Sequence, residues 1–400
     1  MTKLALLSGG KVYLVEEGRD PTTHESRFAK EAESRVERTR STNSWKDDTE
    51  AWNMGVGMMP GMAAFQNAGR PRMSPQFTGV TRGIGNTMCY SMNVFGAGGL
   101  FSFDLDKGVE TRLMHSNDFN PQGLVANTWD GMLAFAVNSG DGTVHLKLKE
   151  LDRPRHRQIT DGDTCDECPW WHRDGELTYL YFHSTAVGRT QEGYPVGRGP
   201  GQICRIAIEA GDVEHLVSDK AYDFLNPRLD DRGALYAIRR PYKSPEMRSS
   251  NDLKTTVKDF ILLPYRFMRM LFYFANFMSI MFVGKPLTSE HLAETPETQL
   301  QRRVLWGRVL ETQKAIHKKG QEKRMRLVPG DWELVRFESG ATSDASTAKS
   351  IAKHVMAYAI TGDGEVLYSD GGGVYRIDES GETKVSDVNG VEQIAVLAGE

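Results

Sequence analysis

Three successive segments of the chain repeat one order of features: a proline, a turn ending in glycine, and a β-rich run carrying aromatics. They are Asn120 to Val137, Cys168 to Ser184 and Asn226 to Tyr242, with the turn glycines at Gly131, Gly175 and Gly233. A fourth copy without the proline runs from Ala357 to Asp378. The Asp-Gly and Arg-Gly pairs stand where a tight hairpin needs positive φ. Gly175 to Gly233 is 58 residues, the same as Thr160-Asp161 to Ser218-Asp219, and Gly131 to Gly175 is 44. A chain that repeats itself at this spacing is constrained to stack similar units side by side.

A unit of about 45 residues holding four short strands is the size of a propeller blade. Glycine supports many tight turns, since 40 of the 400 residues are Gly, above the roughly 7% of average chains. Units are expected near 75–116, 118–161, 164–219, 222–243 with 331–353, and 355–387. The last run, Gly390 to Leu397, closes the ring beside the N-terminal strands. The expected fold is therefore all-β, a six-bladed β-propeller with a helical insertion in one blade and the first blade shared by both ends. Domain boundaries follow: 1–243 and 331–400 form the propeller, and 244–330 the insertion. Residues 24–72 are the least legible stretch; within it His24 to Arg40 reads either as a polar helix, with Phe28, Ala32 and Val36 on one face, or as an alternating edge strand.

The closest copy of the repeat is Pro169-Trp170-Trp171-His172-Arg173-Asp174-Gly175. It resembles the PD40 or TolB-type WD40-like repeat, whose pattern is proline, aromatic, Ser-Pro-Asp-Gly and an aromatic strand; here His-Arg replaces Ser-Pro. The resemblance covers roughly 75–243 and 331–400. It implies a fold and leaves the function open, because such propellers serve scaffolds, peptidase gates and lyases.

Residues 244–330 break the pattern. The strand Leu235 to Tyr242 should meet its partner after a short turn, but the matching run from Asp331 arrives almost ninety residues later. Met270 to Val283 are fourteen residues without charge, fewer than the 18 or so of a spanning helix. At about 100° per residue, Lys258, Asp259, Arg266, Arg269, Tyr273 and Asn276 gather in one stripe. Phe260, Leu263, Phe267, Leu271, Phe274, Met278 and Phe282 belong to the broad apolar remainder. That pattern predicts a helix lying in a membrane interface, or one packed on the propeller or a partner. From Arg302 to Arg326 there are nine Lys/Arg, including Arg302, Arg303, Lys318 and Lys319, against two Glu. This segment is expected to be a basic helix starting near Thr295-Pro296-Glu297 and attracting anionic lipid.

The whole chain carries 49 Lys/Arg and 53 Asp/Glu, a net charge of -4, which argues against a nucleic-acid partner. Mean hydropathy is -0.46, so a polytopic membrane protein is excluded. Leu4 to Leu7 is cut by Ser8-Gly9-Gly10, leaving no signal-peptide core. Four cysteines make no disulfide framework. A cytoplasmic, membrane-associated location is expected.

The densest polar cluster is Thr160 to His172. Asp161, Asp163, Asp166 and Glu167 are oxygen donors for a hard cation; Cys165, Cys168 and His172 are three zinc-type ligands without a fourth. The acidic turn also reads as ordinary solvated loop. No G-x-S-x-G, H-E-x-x-H, Walker or Rossmann motif occurs. The expectation is a non-enzymatic scaffold or complex subunit, without cofactor, docking protein partners at an anionic membrane surface. The alternative is a metal-assisted carbohydrate lyase or hydrolase using the funnel.

Overall fold

A computed structural model describes residues 2–53, 74–117, 119–153, 155–243, 302–305, 308–311, 326–338, 345–378 and 380–398. The chain divides into two compact units, one of residues 1–27, 75–245 and 301–400, the other of 28–74 and 246–300.

The first unit is built of antiparallel sheets. Gln76–Arg82, Thr87–Val94, Ala97–Asp104 and Val109–Asn117 form one, and Ala357–Ile360, Val366–Ser369, Val374–Asp378 and Gly381–Ser386 another. A third orders Tyr222–Leu229, Leu235–Pro241, Glu333–Phe337 and Lys349–Lys353. Two further four-strand runs, Pro121–Asn127 to His156–Gln158 and Thr164–Asp174 to Val213–Val217, join through one parallel bridge, Val144 to Cys165. The remaining sheet orders Val391–Ala398, Lys3–Ser8, Lys11–Glu16 and Thr22–His24. Sequence ends 390 residues apart are thus paired edge to edge, Leu4 opposite Val396 and Leu6 opposite Ile394.

The turn glycines explain the hairpins. Gly131, Gly175, Gly233 and Gly364 have φ of 67°, 60°, 77° and 84°, a region that side chains with a Cβ rarely enter. The inner strands of the sheets are largely buried, outer strands such as Val109–Asn117 and Lys349–Lys353 are largely exposed, and neighbouring sheets pack together through apolar clusters. One cluster joins Leu4, Leu6 and Ile394 to Ala357, Leu367 and Val374; another joins Tyr236, Ile238 and Trp332 to Tyr358, Val366 and Tyr375. His24, Phe77, Tyr90 and Phe103 interlock edge to face where the terminal sheet meets the next. The first strand of each run lies beside the first strand of the next. The cycle passes from Gln76–Arg82 through Pro121–Asn127, Thr164–Asp174, Tyr222–Leu229, Ala357–Ile360 and Val391–Ala398 back to its start.

Leu235–Pro241 pairs with Glu333–Phe337, Ala237 opposite Val335, so ninety residues are inserted in a hairpin connection. Of the expected basic helix, Arg302–Leu305 and Arg308–Glu311 instead form an antiparallel hairpin. β-branched Val304 and Val309 face each other there, a cross-strand pair that suits a sheet. Arg302 and Arg303 belong to this hairpin. The residues expected at a membrane interface, Phe260, Leu263, Arg266, Phe267, Arg269, Leu271, Phe274, Met278 and Phe282, lie outside the described residues, as do Lys318 and Lys319.

Of the second unit the described part is a helix, Arg27–Asn53, which decides between the two readings of that stretch. It follows Ser26, a favoured N-cap type. Phe28, Ala32 and Val36 are its half-buried stripe, and the residues between are largely exposed. Among the described residues no helix is long and apolar enough to cross a membrane.

Candidate functional site

The first strands of the sheets line a cavity of about 720 Å³, within the range of small-molecule sites. Three of these strands are bulged at the same level. Register breaks fall between Gln122 and Val125, Glu167 and Trp170, and Leu225 and Arg228. At each break one residue has positive φ: Gly123 at 60°, Cys168 at 54° and Asn226 at 54°. Glycine takes this conformation freely, whereas Cys168 and Asn226 are strained there, each immediately before a proline. The bulges turn successive side chains toward the cavity. Pro169 and Pro227 follow the bulge residue while Pro121 precedes it, so the prolines of the three repeats are not structurally equivalent.

Two polar groupings result. In the first, Glu167 accepts from Arg198 Nη1 at 3.0 Å and Gln122 Nε2 at 3.2 Å, and lies 3.6 Å from His183 Nε2. His183 is fully buried, and its Nδ1 lies 3.4 Å from the Asn226 amide nitrogen, accepting from it only while the ring is neutral. Burial opposes charge on its ring, but the neighbouring Cys168 and Glu167 side chains outweigh it and raise its pKa to about 9. Glu167 suffers the same burial, and its His183 and Arg198 partners still hold its carboxyl below the usual range. Cys168 is the half-buried cysteine; Cys89, Cys165 and Cys204 are buried, and desolvation pushes the Cys89 and Cys204 thiols up to about 11 and about 12.

The second grouping centres on Arg228, whose guanidinium lies 4.8 Å from the Trp170 ring and 5.5 Å from that of Tyr358. The Tyr358 hydroxyl has the Asn226 and Tyr236 carbonyl oxygens at 2.6 and 2.9 Å, two acceptors for its one proton.

Beside the cavity, the strand Leu177–Arg189 runs beyond its sheet and pairs with Pro195–Arg198. Arg189 fixes this hairpin by reaching Asp163, Asp141 and the Gly193 carbonyl. Its tip exposes Tyr194 and Val196, 70% and 60% accessible.

The residues expected to bind metal are not brought together. Asp163 is engaged by Arg189, Asp161 is exposed, and Cys165 donates to the Gly142 carbonyl from the core. Cys168 faces the cavity, and His172 packs edge-on against Tyr181. From Asp163 to His172 the strand runs roughly 25–30 Å at about 3.3 Å per residue, so one ion cannot reach both. Among the described residues no three His, Cys, Asp or Glu side chains form a metal-holding group. Sequence reasoning missed Arg228, Arg198 and His183. The available signal was Arg228 itself: it directly follows Pro227, as Trp170 follows Pro169, placing a cation where the neighbouring repeat has an aromatic.

No protein-family model matches the chain, and no curated protein matches it in sequence. Among solved structures it is similar to the nidogen/laminin complex, at 9% identity over 100% of this chain and 99% of that one, with a TM-score of 0.50. It is also similar to TolB from Acinetobacter baumannii, at 14% identity, covering 61% of this chain, with a TM-score of 0.38. The match spans about half, 48%, of that TolB chain. The tricorn protease matches at 9% identity over 99% of this chain and 34% of its own, with a TM-score of 0.42. TolB proteins are PD40 β-propellers; the chain is nearly all β, in several sheets, with propellers as its structural neighbours.

Proposed function

We propose that the sheets of the first unit are the blades of a six-bladed β-propeller, closed by the two ends of the sequence. On this reading the protein is a non-enzymatic scaffold or complex subunit on the cytoplasmic face of a membrane. The observation that carries the scaffold role is the hairpin of Arg189 and Pro195–Arg198. A surface loop held by ion pairs to Asp141 and Asp163 is pre-organised, and pre-organisation lowers the entropic cost of docking. Its exposed Tyr194 is of the type enriched at binding hot spots. Membrane attachment is supported by the sequence of 258–326, with an apolar face flanked by nine basic residues. Each basic residue near an anionic surface contributes about 1 kcal/mol.

The test is sedimentation of the full chain with phosphatidylserine-containing vesicles. Reversing Arg302, Arg303, Lys318 and Lys319 to Glu should abolish co-sedimentation at physiological salt and leave the melting temperature unchanged. Tyr194→Ala with Val196→Ser should instead retain vesicle binding and release the proteins that co-purify from native membranes. Undiminished vesicle binding by the charge-reversed chain defeats the membrane reading. Undiminished co-purification by the hairpin variant defeats the docking role.

A further inference from the structure

Arg228 is 8% exposed and lines the cavity, yet no carboxylate pairs with its charge among the described residues. Its Nη2 reaches one carbonyl, that of Ile394, at 3.5 Å, and its Nε has no acceptor. The same fold treats another buried arginine differently. Arg240 also stacks on an aromatic ring, Trp332 at 4.8 Å, but its Nε is bonded to the Asp223 carboxylate at 2.8 Å. A buried guanidinium without a counter-charge is costly, and it cannot escape by losing its proton. Tyr358 gives no negative charge either, because burial pushes its hydroxyl far above its usual range. Trp170 and Tyr358 cover parts of the guanidinium, and Nε is left as an unused donor.

We propose that Arg228 is the anchor of an oxyanion site in the central cavity, built for a small ligand with a single carboxylate or phosphate group. A guanidinium fork meets either group through two parallel hydrogen bonds, and the Trp170 ring provides an apolar wall for the rest of the molecule. The volume of about 720 Å³ admits a metabolite-sized ligand. Glu392 and Asp231 also line the cavity, Glu392 near the start of its strand and Asp231 beyond the end of its own. They disfavour a second anionic group at either end. Arg198, held by Glu167 at 3.0 Å, is a second donor on the same wall. The site stands independently of membrane attachment and of the exposed tip of the hairpin.

The experiment titrates the full-length protein, in phosphate-free buffer at fixed ionic strength, with inorganic phosphate and separately with benzoate. Tryptophan fluorescence and thermal unfolding are the readouts. Wild type should give a saturable signal and a rising melting temperature with at least one probe, and the responding probe distinguishes phosphate from carboxylate. Arg228→Met should weaken that response at least tenfold, and Arg228→Lys should fall between, lacking the fork. Without anion, Arg228→Met should melt at or above wild type, because a buried unpaired charge is gone. A wild type silent to both probes, an equal response from Arg228→Met, or a lower anion-free melting temperature of that variant overturns the site.

Discussion

Glu167 meets three partners from three different strands or loops, and the chemistry of that corner depends on which of them is charged. His183, with its pKa raised to about 9 from 6.5, binds its proton more tightly in the folded chain than in the unfolded one. Its pairing with Glu167 therefore stabilises fully below about pH 6.5 and fades as pH rises through about 9. Glu167→Gln leaves a buried imidazolium unpaired and should cost about 3 kcal/mol at pH 6. At pH 10 the same substitution should cost less than half of that, leaving chiefly the partly exposed Arg198 contact. Melting temperatures of the two proteins at both pH values check this; equal losses would mean that the imidazole is neutral throughout.

At the scale of elements, the sheets approach one another so closely that some positions admit no Cβ. Gly98, in Ala97–Asp104, is such a place: a Cβ there would stand 1.5 Å from the Phe119 carbonyl oxygen and 2.7 Å from Pro121 Cδ. Gly98→Ala should thus destabilise by about 2–3 kcal/mol through overpacking. Gly362→Ala, where nothing lies within 4 Å, should stay within about 0.5 kcal/mol; chemical denaturation of both variants measures the contrast. The elements were legible because their period is local. Gly131, Gly175 and Gly233 mark hairpins through backbone conformation alone, and the interrupted pairing of Leu235–Pro241 follows from two half-patterns. The site was less legible, since it arises from bulges. A bulge changes which side chains enter the cavity without changing the hydrophobic pattern, so Arg228 and His183 read as ordinary strand residues. The segment 302–311 misled for another reason: charge content suggested a helix, while Val304 and Val309 settled on a hairpin.

For the whole molecule, the sheet that joins Lys3–Ser8 to Val391–Ala398 closes the cycle of first strands. Val391, Ile394 and Leu397 are buried there, and each contributes about 1.5–3 kcal/mol. The Gln393 side chain bridges to the next sheet by accepting from Val80 N and donating to Val80 O, at 3.1 and 2.8 Å. A chain ending at 390 should melt less sharply and at a lower temperature than the intact protein, and a peptide of residues 389–400 added in trans should restore it. A truncated chain that melts as sharply and as high as wild type would show that closure contributes little.

The same pairing sets an order of events during synthesis. The Ser8 hydroxyl donates to the Asn389 carbonyl across 381 residues of sequence, so the strand Lys3–Ser8 must wait for a partner made that much later. At 5–20 residues per second that delay is roughly 20–80 s. Throughout it, the apolar Leu4 to Leu7 strand presents an unfilled edge, open to pairing with another nascent chain. The interval ends only when residues 391–398 arrive, which makes completion of this sheet the step where misassembly competes with folding and where a chaperone has the most to protect.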